Sequence, residues 1–180
     1  MATIYTIGHS TRTIEQHIEL LLAHKIGLLI DIRAFPASRR LPHFNREALE
    51  KSLPAAGIEY RWMPDLGGHR KRILKDSPHT GLRNESFRNY ADYMLTPPFQ
   101  NAAAEVVRLA DEFAAEGRGG VCIMCAEAVY FRCHRMLVSD YLVAHGNDVL
   151  HITDPNTPRP HKLLAEAQMI DGQLIYKGLF

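Results

Sequence analysis

The chain has 180 residues, of which 46% are apolar and 23% are charged. This length and composition predict one globular domain, residues 1–180, with a single hydrophobic core. The formal net charge of +1 excludes a global electrostatic attraction to nucleic acid or to a membrane surface, but it leaves room for a local basic patch.

Strand and helix patterns alternate over the first third of the chain. Short apolar runs rich in β-branched and aromatic side chains predict strands at 3–7, 26–32 and 58–62. Between them, apolar residues at helical spacing, each preceded by a suitable N-cap, predict helices over 13–25 and 45–56.

The second part of the chain continues the alternation after a long connection. Residues 64–84 are polar and rich in Gly, Pro and basic side chains, which is typical of a functional or mobile loop. Pro97 and Pro98 are expected to separate two helices there. The predicted elements are helices at 85–95, 99–115, 131–144 and 162–167 and strands at 120–125, 148–152 and 173–176.

Strands that alternate with helices indicate parallel βαβ units with right-handed crossovers. The sequence therefore predicts an α/β protein, a three-layer α/β/α sandwich with about five mostly parallel strands. The fold is Rossmann-like, but the chain has no G-x-G-x-x-G dinucleotide fingerprint, P-loop or G-x-S-x-G nucleophile elbow. The pattern leaves the strand order open.

Polar and reactive side chains follow each predicted strand. Because ligands bind beyond the carboxyl ends of the strands in open parallel sheets, we expect these side chains to converge at one edge. The alternative for any one of them is an ordinary polar loop residue. In chain order they are His9 with Ser10, Asp31 with Arg33, Trp62, Cys125 with Glu127, and His151.

Cys125 closes the strand at 120–125 just before a predicted helix. A helix N-terminus favours a thiolate, and the nearby arginines and His134 would lower the thiol pKa further, whereas Glu127 would raise it. Cys125 is therefore a candidate nucleophile or metal ligand. The alternative is a small buried hydrophobic residue.

Cys133 and His134 fall in the second turn of the predicted helix. Adjacent helix positions diverge by about 100°, so one of the pair should face the site and the other the core. If a metal is bound, the candidate ligands are Cys125, Cys133 and His134, with Glu127 and His9 as further candidates. No spacing here specifically demands a metal, and no cofactor is assigned.

Asp31 and Arg33 are two positions apart on a strand and therefore face the same side. We interpret them as an internal ion pair that positions Arg33. Glu127 is a candidate general acid or base, metal ligand or arginine partner. The predicted catalytic set is Cys125, Glu127, His9 and His134, and the predicted substrate-binding set is Ser10, Asp31, Arg33, Arg70, Arg135 and Trp62.

Two loops above the same edge combine basic and aromatic side chains. Guanidinium groups beside aromatic faces suit a phosphate with a stacked base, and the alternative is a solvated, mobile surface. The Cys-x5-Arg pattern of phosphatases is not matched, because six residues separate Cys125 from Arg132. The basic residues are Arg33, Arg39, Arg40, His69, Arg70, Lys71 and Arg72, interleaved with Phe35, Phe44 and Trp62.

A set of short motifs in this order resembles the DUF488 family. They are Ile7-Gly8-His9-Ser10, Asp31-Ile32-Arg33 with Pro36 and Ser38, Leu66-Gly67-Gly68, Tyr90-Ala91, Met124-Cys125-Ala126-Glu127, Cys133-His134-Arg135 and His151-Ile152. The resemblance covers nearly the whole chain and implies a compact α/β fold in an intracellular protein, without implying a reaction. His69 departs from the family pattern, in which an Arg is more usual after the glycine pair.

The sequence indicates a cytoplasmic protein that is not associated with a membrane. Three cysteines, an odd number, do not suit a disulfide framework. No apolar run approaches the roughly 20 residues of a membrane helix, and no signal-peptide pattern is present. A homodimer is compatible with the sequence, but no feature selects it.

Several functions stay open at this point. The leading hypothesis is an enzyme that acts on a phosphorylated, nucleotide-like or nucleic-acid substrate at the Cys/Glu/His/Arg site. The alternatives are a metal-binding or redox thiol protein, a non-catalytic nucleic-acid-binding module, and a purely structural role for the same residues.

Overall fold

The structure, a computed structural model, describes residues 1–179 of the chain. Its strands are β1 (Thr3–Gly8), β2 (Ile26–Asp31), β3 (Glu59–Trp62), β4 (Gly120–Cys125), β5 (Asp148–His151), β6 (Arg159–Pro160), β7 (Ala167–Ile170) and β8 (Gln173–Tyr176). Its α-helices are α1 (Ile14–Ala23), α2 (Arg46–Ala55), α3 (Glu85–Tyr93), α4 (Pro97–Ala115) and α5 (Arg135–Ala144), and short 3-10 turns lie at Pro42–Phe44, Pro64–Leu66 and Tyr130–Arg132. Within residues 1–179, no helix is long and apolar enough to cross a membrane.

The central sheet has its strands in the order β3-β2-β4-β1-β5-β6. Strands β1 to β5 are parallel, and the two-residue β6 pairs antiparallel with β5. Because β4 lies between β1 and β2, the ends of these three strands are side by side. Gly8 is paired with Cys125, and Asp31 with Met124. The end of β4 therefore lies in the middle of the carboxyl edge.

Hydrophobic side chains cover both faces of this sheet. Leu28 and Ile30 of β2 point into the core formed with α3, α4 and α5. Leu29, between them, points into the opposite core, formed with α1 and α2. This alternation is the period of two that a strand imposes on its side chains. The predicted three-layer α/β/α architecture is confirmed.

Two predictions about these elements were wrong. Residues 162–167 do not form a helix; Ala167–Ile170 is a strand of the β7–β8 hairpin, turned by Asp171 and Gly172, whose φ values are +50° and +78°. An Asp-Gly turn of this kind overrides weak helix propensity. Pro97 begins α4 instead of preceding it, since the first helical position needs no N–H donor. The central sheet also has a sixth strand.

Gly8 allows β1 to approach the chain that follows β4. A Cβ at this position would lie 1.6 Å from the carbonyl oxygen of Glu127. The backbone N–H groups of His9 and Ser10 donate to the carbonyls of Cys125 and Ala126, both at 2.9 Å. These contacts fix the backbone at the carboxyl edge, where the sequence predicts the site.

Candidate active site

The segment between β4 and α5 is not the continuous helix that the sequence predicts from residue 131. A 3-10 turn at Tyr130–Arg132 comes first, and α5 begins only at Arg135. Cys133 between them is extended, with φ of −143° and ψ of 172°. This extended residue interrupts the helical hydrogen bonds. The Cys133 side chain therefore lies beside the end of β4.

The sulfurs of Cys125 and Cys133 lie 3.0 Å apart in hydrogen-bond contact. The hydrogen bond from Cys125, with a smaller contribution from the positive charge of Arg135, lowers the pKa of Cys133 to about 7. The same contact, together with burial, raises the pKa of Cys125 well above its ordinary value. Cys133 therefore carries the thiolate and Cys125 donates its proton, whereas the sequence favoured Cys125 as the nucleophile.

The start of α5 also contributes to this polarisation. The backbone N–H of Arg135, the first residue of the helix, donates to the sulfur of Cys133 at 3.3 Å. Helix N-termini favour negative charge because their N–H groups lack intrahelical partners. Cys125 receives no such contact. Cys122, the third thiol, is fully buried within β4, and burial raises its pKa.

Arg135 is a buried cation, with 1% of its surface exposed. Its guanidinium donates to Thr6 Oγ1 at 2.9 Å and to the carbonyl oxygens of Glu127 and Ala128 at 3.0 and 3.3 Å. Its Nε has no hydrogen-bond partner among the described residues 1–179. No carboxylate in residues 1–179 pairs with it within 4.0 Å. A thiolate on Cys133 supplies the negative charge that this guanidinium lacks.

A chain of buried hydrogen bonds extends from Arg135 through the protein. Thr6 Oγ1 is 2.5 Å from His151 Nδ1, His151 Nε2 is 2.8 Å from His161 Nδ1, and His161 Nε2 is 2.7 Å from Asp140 Oδ1. A guanidinium only donates and a carboxylate only accepts. The carboxylate end sets the direction, because His161 donates through Nε2 to Asp140. With one proton on each ring, His151 Nε2 donates to His161 Nδ1 and the Thr6 hydroxyl donates to His151 Nδ1. This chain holds the Arg135 guanidinium in one orientation.

The thiol pair lies in the wall of a cavity of about 340 Å³, which we call the thiol cavity. Its walls come from the loops after β2, β3 and β4 and from α3. The predicted convergence of strand ends therefore produces a concave site. The lining residues are Arg33, Ala34, Phe35, Gly68, His69, Ser86, Phe87, Tyr90, Cys125, Ala126, Glu127, Arg132, Cys133 and His134.

His134 lines the thiol cavity beside Cys133, although the sequence predicted that only one of the two would face it. Its Nε2 lies 3.0 Å from the carbonyl oxygen of Ile32 and must donate to it, which leaves Nδ1 as a hydrogen-bond acceptor. A Cβ at Gly68 would lie 3.1 Å from Nδ1, so the ring packs directly on this glycine. Burial lowers the pKa of His134 to about 4, so the ring is neutral at pH 7.

Glu127 and Arg132 are the exposed charged residues of the cavity wall. Neither side chain has a hydrogen-bond or ion-pair partner within residues 1–179. The Glu127 backbone, by contrast, is engaged through its carbonyl oxygen, which accepts from Arg135. Both side chains are free to contact a ligand in the thiol cavity.

Arg33 forms the predicted ion pair with Asp31. Its Nε and Nη2 donate to the two carboxylate oxygens at 2.8 and 2.6 Å, and Nη2 also donates to the Phe44 carbonyl at 2.6 Å. Tyr60 donates its hydroxyl to the same carboxylate at 2.5 Å. Arg33 lines the thiol cavity, but Asp31 neutralises its charge.

His9 lies next to this ion pair and not in the thiol cavity. Its Nδ1–H donates to the Ser10 carbonyl at 2.7 Å, and its ring stacks on Phe44 at 4.3 Å. Burial, with a smaller contribution from the charge of Arg33, lowers the pKa of His9 to about 4. His9 therefore belongs to the support of Arg33, and its catalytic role stays a prediction.

Ser10, Trp62 and Arg70 do not line the thiol cavity. Trp62 donates its indole N–H to the Arg33 carbonyl at 2.8 Å. Arg70 donates to the carbonyls of residues 67 and 64 at 3.0 and 2.8 Å, and its guanidinium lies 3.8 Å from the centre of the Tyr93 ring. Their observed contacts hold the loops in place, and their substrate-binding roles stay predictions.

Several lining residues were absent from the predicted site, among them Ser86, Phe87, Tyr90 and Arg132. Phe87 and Tyr90 are one turn apart on α3, and Tyr90 donates its hydroxyl to the Leu66 carbonyl at 2.7 Å. An aromatic pair at helical spacing is also typical of a core-facing helix. The sequence therefore contained the pair without indicating that it borders a cavity.

The predicted metal ligands are only partly brought together. Cys125 and Cys133 are adjacent, but His134 uses Nε2 for the Ile32 carbonyl. Over residues 1–179, no three His, Cys, Asp or Glu side chains are grouped so that they would hold a metal ion. The feature that the geometry does provide is a polarised dithiol.

A comparison with protein-family models matches residues 13–142 to the domain of unknown function DUF488. The match includes β2 to β4, the thiol pair and most of α5, and it agrees with the resemblance found in the sequence motifs. No curated protein and no solved structure matches the chain.

Proposed function

The chain belongs to the DUF488 family, and from the geometry of its cavity we propose that it is a thiol-dependent enzyme that cycles between a dithiol and a disulfide. The observation that carries this proposal is the 3.0 Å contact between the Cys125 and Cys133 sulfurs in the wall of an accessible cavity. Two separate elements, β4 and the turn before α5, deliver the two thiols. Reactive cysteines have low pKa values and a resolving thiol nearby, and this pair has both.

The two cysteines have different roles. Cys133 is the nucleophile, because its pKa of about 7 makes about half of it thiolate at neutral pH. A thiol attacks a disulfide fastest when its pKa is close to the ambient pH. Cys125 is the resolving thiol, because its raised pKa keeps it protonated until Cys133 has reacted.

The cycle balances as two thiol–disulfide exchanges. The Cys133 thiolate attacks one sulfur of a disulfide R–S–S–R′, the S–S bond breaks, and R′–S⁻ leaves with the electron pair. Cys125 then loses its proton to the departing thiolate or to water and attacks the Cys133 sulfur, and R–S⁻ leaves. The substrate gains two electrons, the protein holds the Cys125–Cys133 disulfide, and a thiol reductant restores it by the reverse exchanges.

Three of the cations predicted to bind substrate, Arg33, Arg70 and Arg135, have other partners, which supports placing the chemistry on the thiols. Asp31 neutralises Arg33, backbone carbonyls accept from Arg70, and Arg135 is enclosed beneath the thiol pair. Arg132 is the exposed cation that lines the thiol cavity. The proposal therefore assigns an anionic group to the substrate without making that group the site of reaction.

The test is mass spectrometry of the reduced protein after brief exposure to a chromogenic aromatic disulfide. The wild-type chain should lose about 2 Da and release two aromatic thiolates. Cys125→Ser should stop at a mixed disulfide on Cys133 and release one thiolate, and Cys133→Ser should react far more slowly. Cys122→Ala, which changes the thiol that is buried outside the cavity, is the matched control and should behave as wild type.

A wild-type chain that carries two separate aromatic adducts and no internal disulfide would overturn the proposal. So would equal reaction rates for Cys133→Ser and the wild type. Circular dichroism and thermal unfolding of each variant would verify that the fold is retained.

A further inference from the structure

A second cavity adjoins the thiol cavity. It has a volume of about 470 Å³ and is lined by His9, Thr11, Arg33, Phe35, Ala37, Ser38, Arg40, Leu41 and Ala126. The two cavities share Arg33, Phe35 and Ala126 in their walls. They therefore lie side by side at the carboxyl edge of the sheet, with the thiol pair in the wall of one. We call the two cavities together the edge groove.

The charge around this edge differs from that of the whole chain. The connections that follow β1 to β5 are residues 9–13, 32–45, 63–84, 126–134 and 152–158; they contain ten Lys and Arg against four Asp and Glu. The rest of the chain then has eleven basic and sixteen acidic residues, since the totals are 21 and 20. The net charge of +1 is therefore the sum of a basic carboxyl edge and an acidic remainder of the chain.

Each of the two cavities presents one exposed arginine. Arg40 lines the second cavity and Arg132 the thiol cavity. Both are exposed, and neither has a hydrogen-bond or ion-pair partner within residues 1–179. Glu127 is the carboxylate that lines the groove; Asp31, which neutralises Arg33, lines neither cavity. The groove is therefore suited to a ligand with negative charges spaced along its length.

An aromatic side chain separates the two halves of the groove. Phe35 is 75% exposed, although it lines both cavities, and its ring centre lies 5.8 Å from that of His69. Leaving a large apolar side chain in water is unfavourable compared with burying it against another group. Unpaired bases stack on such rings, and each stacked base contributes about 1–3 kcal/mol to binding.

We propose that the edge groove binds single-stranded nucleic acid, with phosphates near Arg40 and Arg132 and one base stacked on Phe35. The strand then crosses the thiol cavity and presents a disulfide-bonded substituent to Cys133, which attacks one sulfur while the other leaves as a thiolate. This inference deepens the proposed function. Its chemistry rests on the proposed function, whereas strand binding depends only on charge and stacking. A duplex has no free base face for Phe35, so the proposal is specific for single strands.

The test is fluorescence anisotropy with a labelled 12-nucleotide DNA or RNA strand. Arg40→Glu should weaken binding about eightfold or more at 50 mM salt and reduce the salt slope by about 0.7, because each lost phosphate contact removes that part of the counterion release. Phe35→Ala should weaken binding about tenfold, and Phe35→Trp should retain it. Lys51→Glu, at an exposed position on α2, makes the same charge change away from the groove and should bind as wild type.

Equal losses with Arg40→Glu and Lys51→Glu would mean that only net charge matters, and this would overturn the proposal. Equally tight binding of a duplex, or an unchanged affinity in Phe35→Ala, would also overturn it. Strand binding by a chain whose thiols form no internal disulfide would refute the proposed function alone, and an active dithiol without strand binding would refute the groove alone.

Discussion

The hydrogen bond from Cys125 is the main cause of the low Cys133 pKa, and this gives a test with a matched pair of variants. Cys125→Ala removes the donor, whereas Cys125→Ser keeps an O–H that can donate to the thiolate. Both variants lose the resolving thiol. They therefore differ only in whether the Cys133 thiolate is hydrogen-bonded, and we expect the Cys133 pKa to rise in the Ala variant and to stay low in the Ser variant.

The size of the effect follows from the thiolate fraction and the nucleophilicity. If the pKa rises from about 7 to the ordinary value of 9.0, the thiolate fraction at pH 7 falls from about one half to about one hundredth, a factor of about 50. A more basic thiolate is more nucleophilic. With a Brønsted coefficient of about 0.45, each thiolate in the Ala variant reacts about 8 times faster, which offsets part of this loss. The Ala variant should thus react about sixfold more slowly at pH 7.

The assay is the rate of reaction with an aromatic disulfide as a function of pH. The two rate profiles should cross at about pH 8, and above about pH 9 the Ala variant should be clearly the faster one. A simple loss of structure would lower the rate at every pH. An Ala variant whose profile keeps its midpoint near pH 7 would refute the assignment of the low pKa to the Cys125 hydrogen bond.

Three further predictions test the support of Arg135, the buried histidine His17 of α1, and the approach of β1 to the loop after β4. Thr6→Val removes a hydrogen bond of the Arg135 guanidinium and should raise the Cys133 pKa, whereas Thr6→Ser should not; thiol titration by ultraviolet absorbance measures this. Burial lowers the pKa of His17 to about 3, so the unfolded chain binds its proton first and stability is lost as pH falls below the ordinary value of 6.5; His17→Leu should recover about 2 kcal/mol at pH 5 in urea unfolding relative to pH 8. Gly8→Ala places a Cβ against the loop after β4 and should destabilise the protein by about 3 kcal/mol or more in thermal unfolding, with loss of thiol reactivity.

The fold was predictable because it depends on local patterns. Buried strands such as Ile26–Asp31 are continuous apolar runs, and amphipathic helices separate them, so a parallel sheet follows. The order of the strands depends on pairings between distant segments, and no local pattern contains it. The helix predicted at 162–167 was wrong for a related reason, since pairing with β8 outweighs the intrinsic preference of those residues.

The convergence of polar side chains at the carboxyl edge was predictable, but their contacts with one another were not. Strand ends meet at one edge in any parallel sheet, and Cys125, Glu127, Arg33 and His134 do line one cavity there. The thiol contact depends on the extended backbone of Cys133, which helix propensity does not reveal. A sequence also shows that an arginine is present without showing its partner, and so Arg135 looked like a ligand-binding residue when it is buried beneath the thiols.

The equilibrium between dithiol and disulfide gives an independent check on the thiolate. Below the pKa of Cys133, reduction takes up two electrons and two protons, so the reduction potential should fall by about 59 mV per pH unit. Above that pKa the reduced protein keeps a thiolate and takes up one proton, so the slope should halve to about 30 mV per pH unit. The break should lie near pH 7, where the Cys133 pKa is placed. Redox titration against glutathione buffers at several pH values measures the reduction potential and locates this break. A slope that stays near 59 mV up to about pH 9 would mean that Cys133 is an ordinary thiol, and that Arg135 has no thiolate to balance its charge.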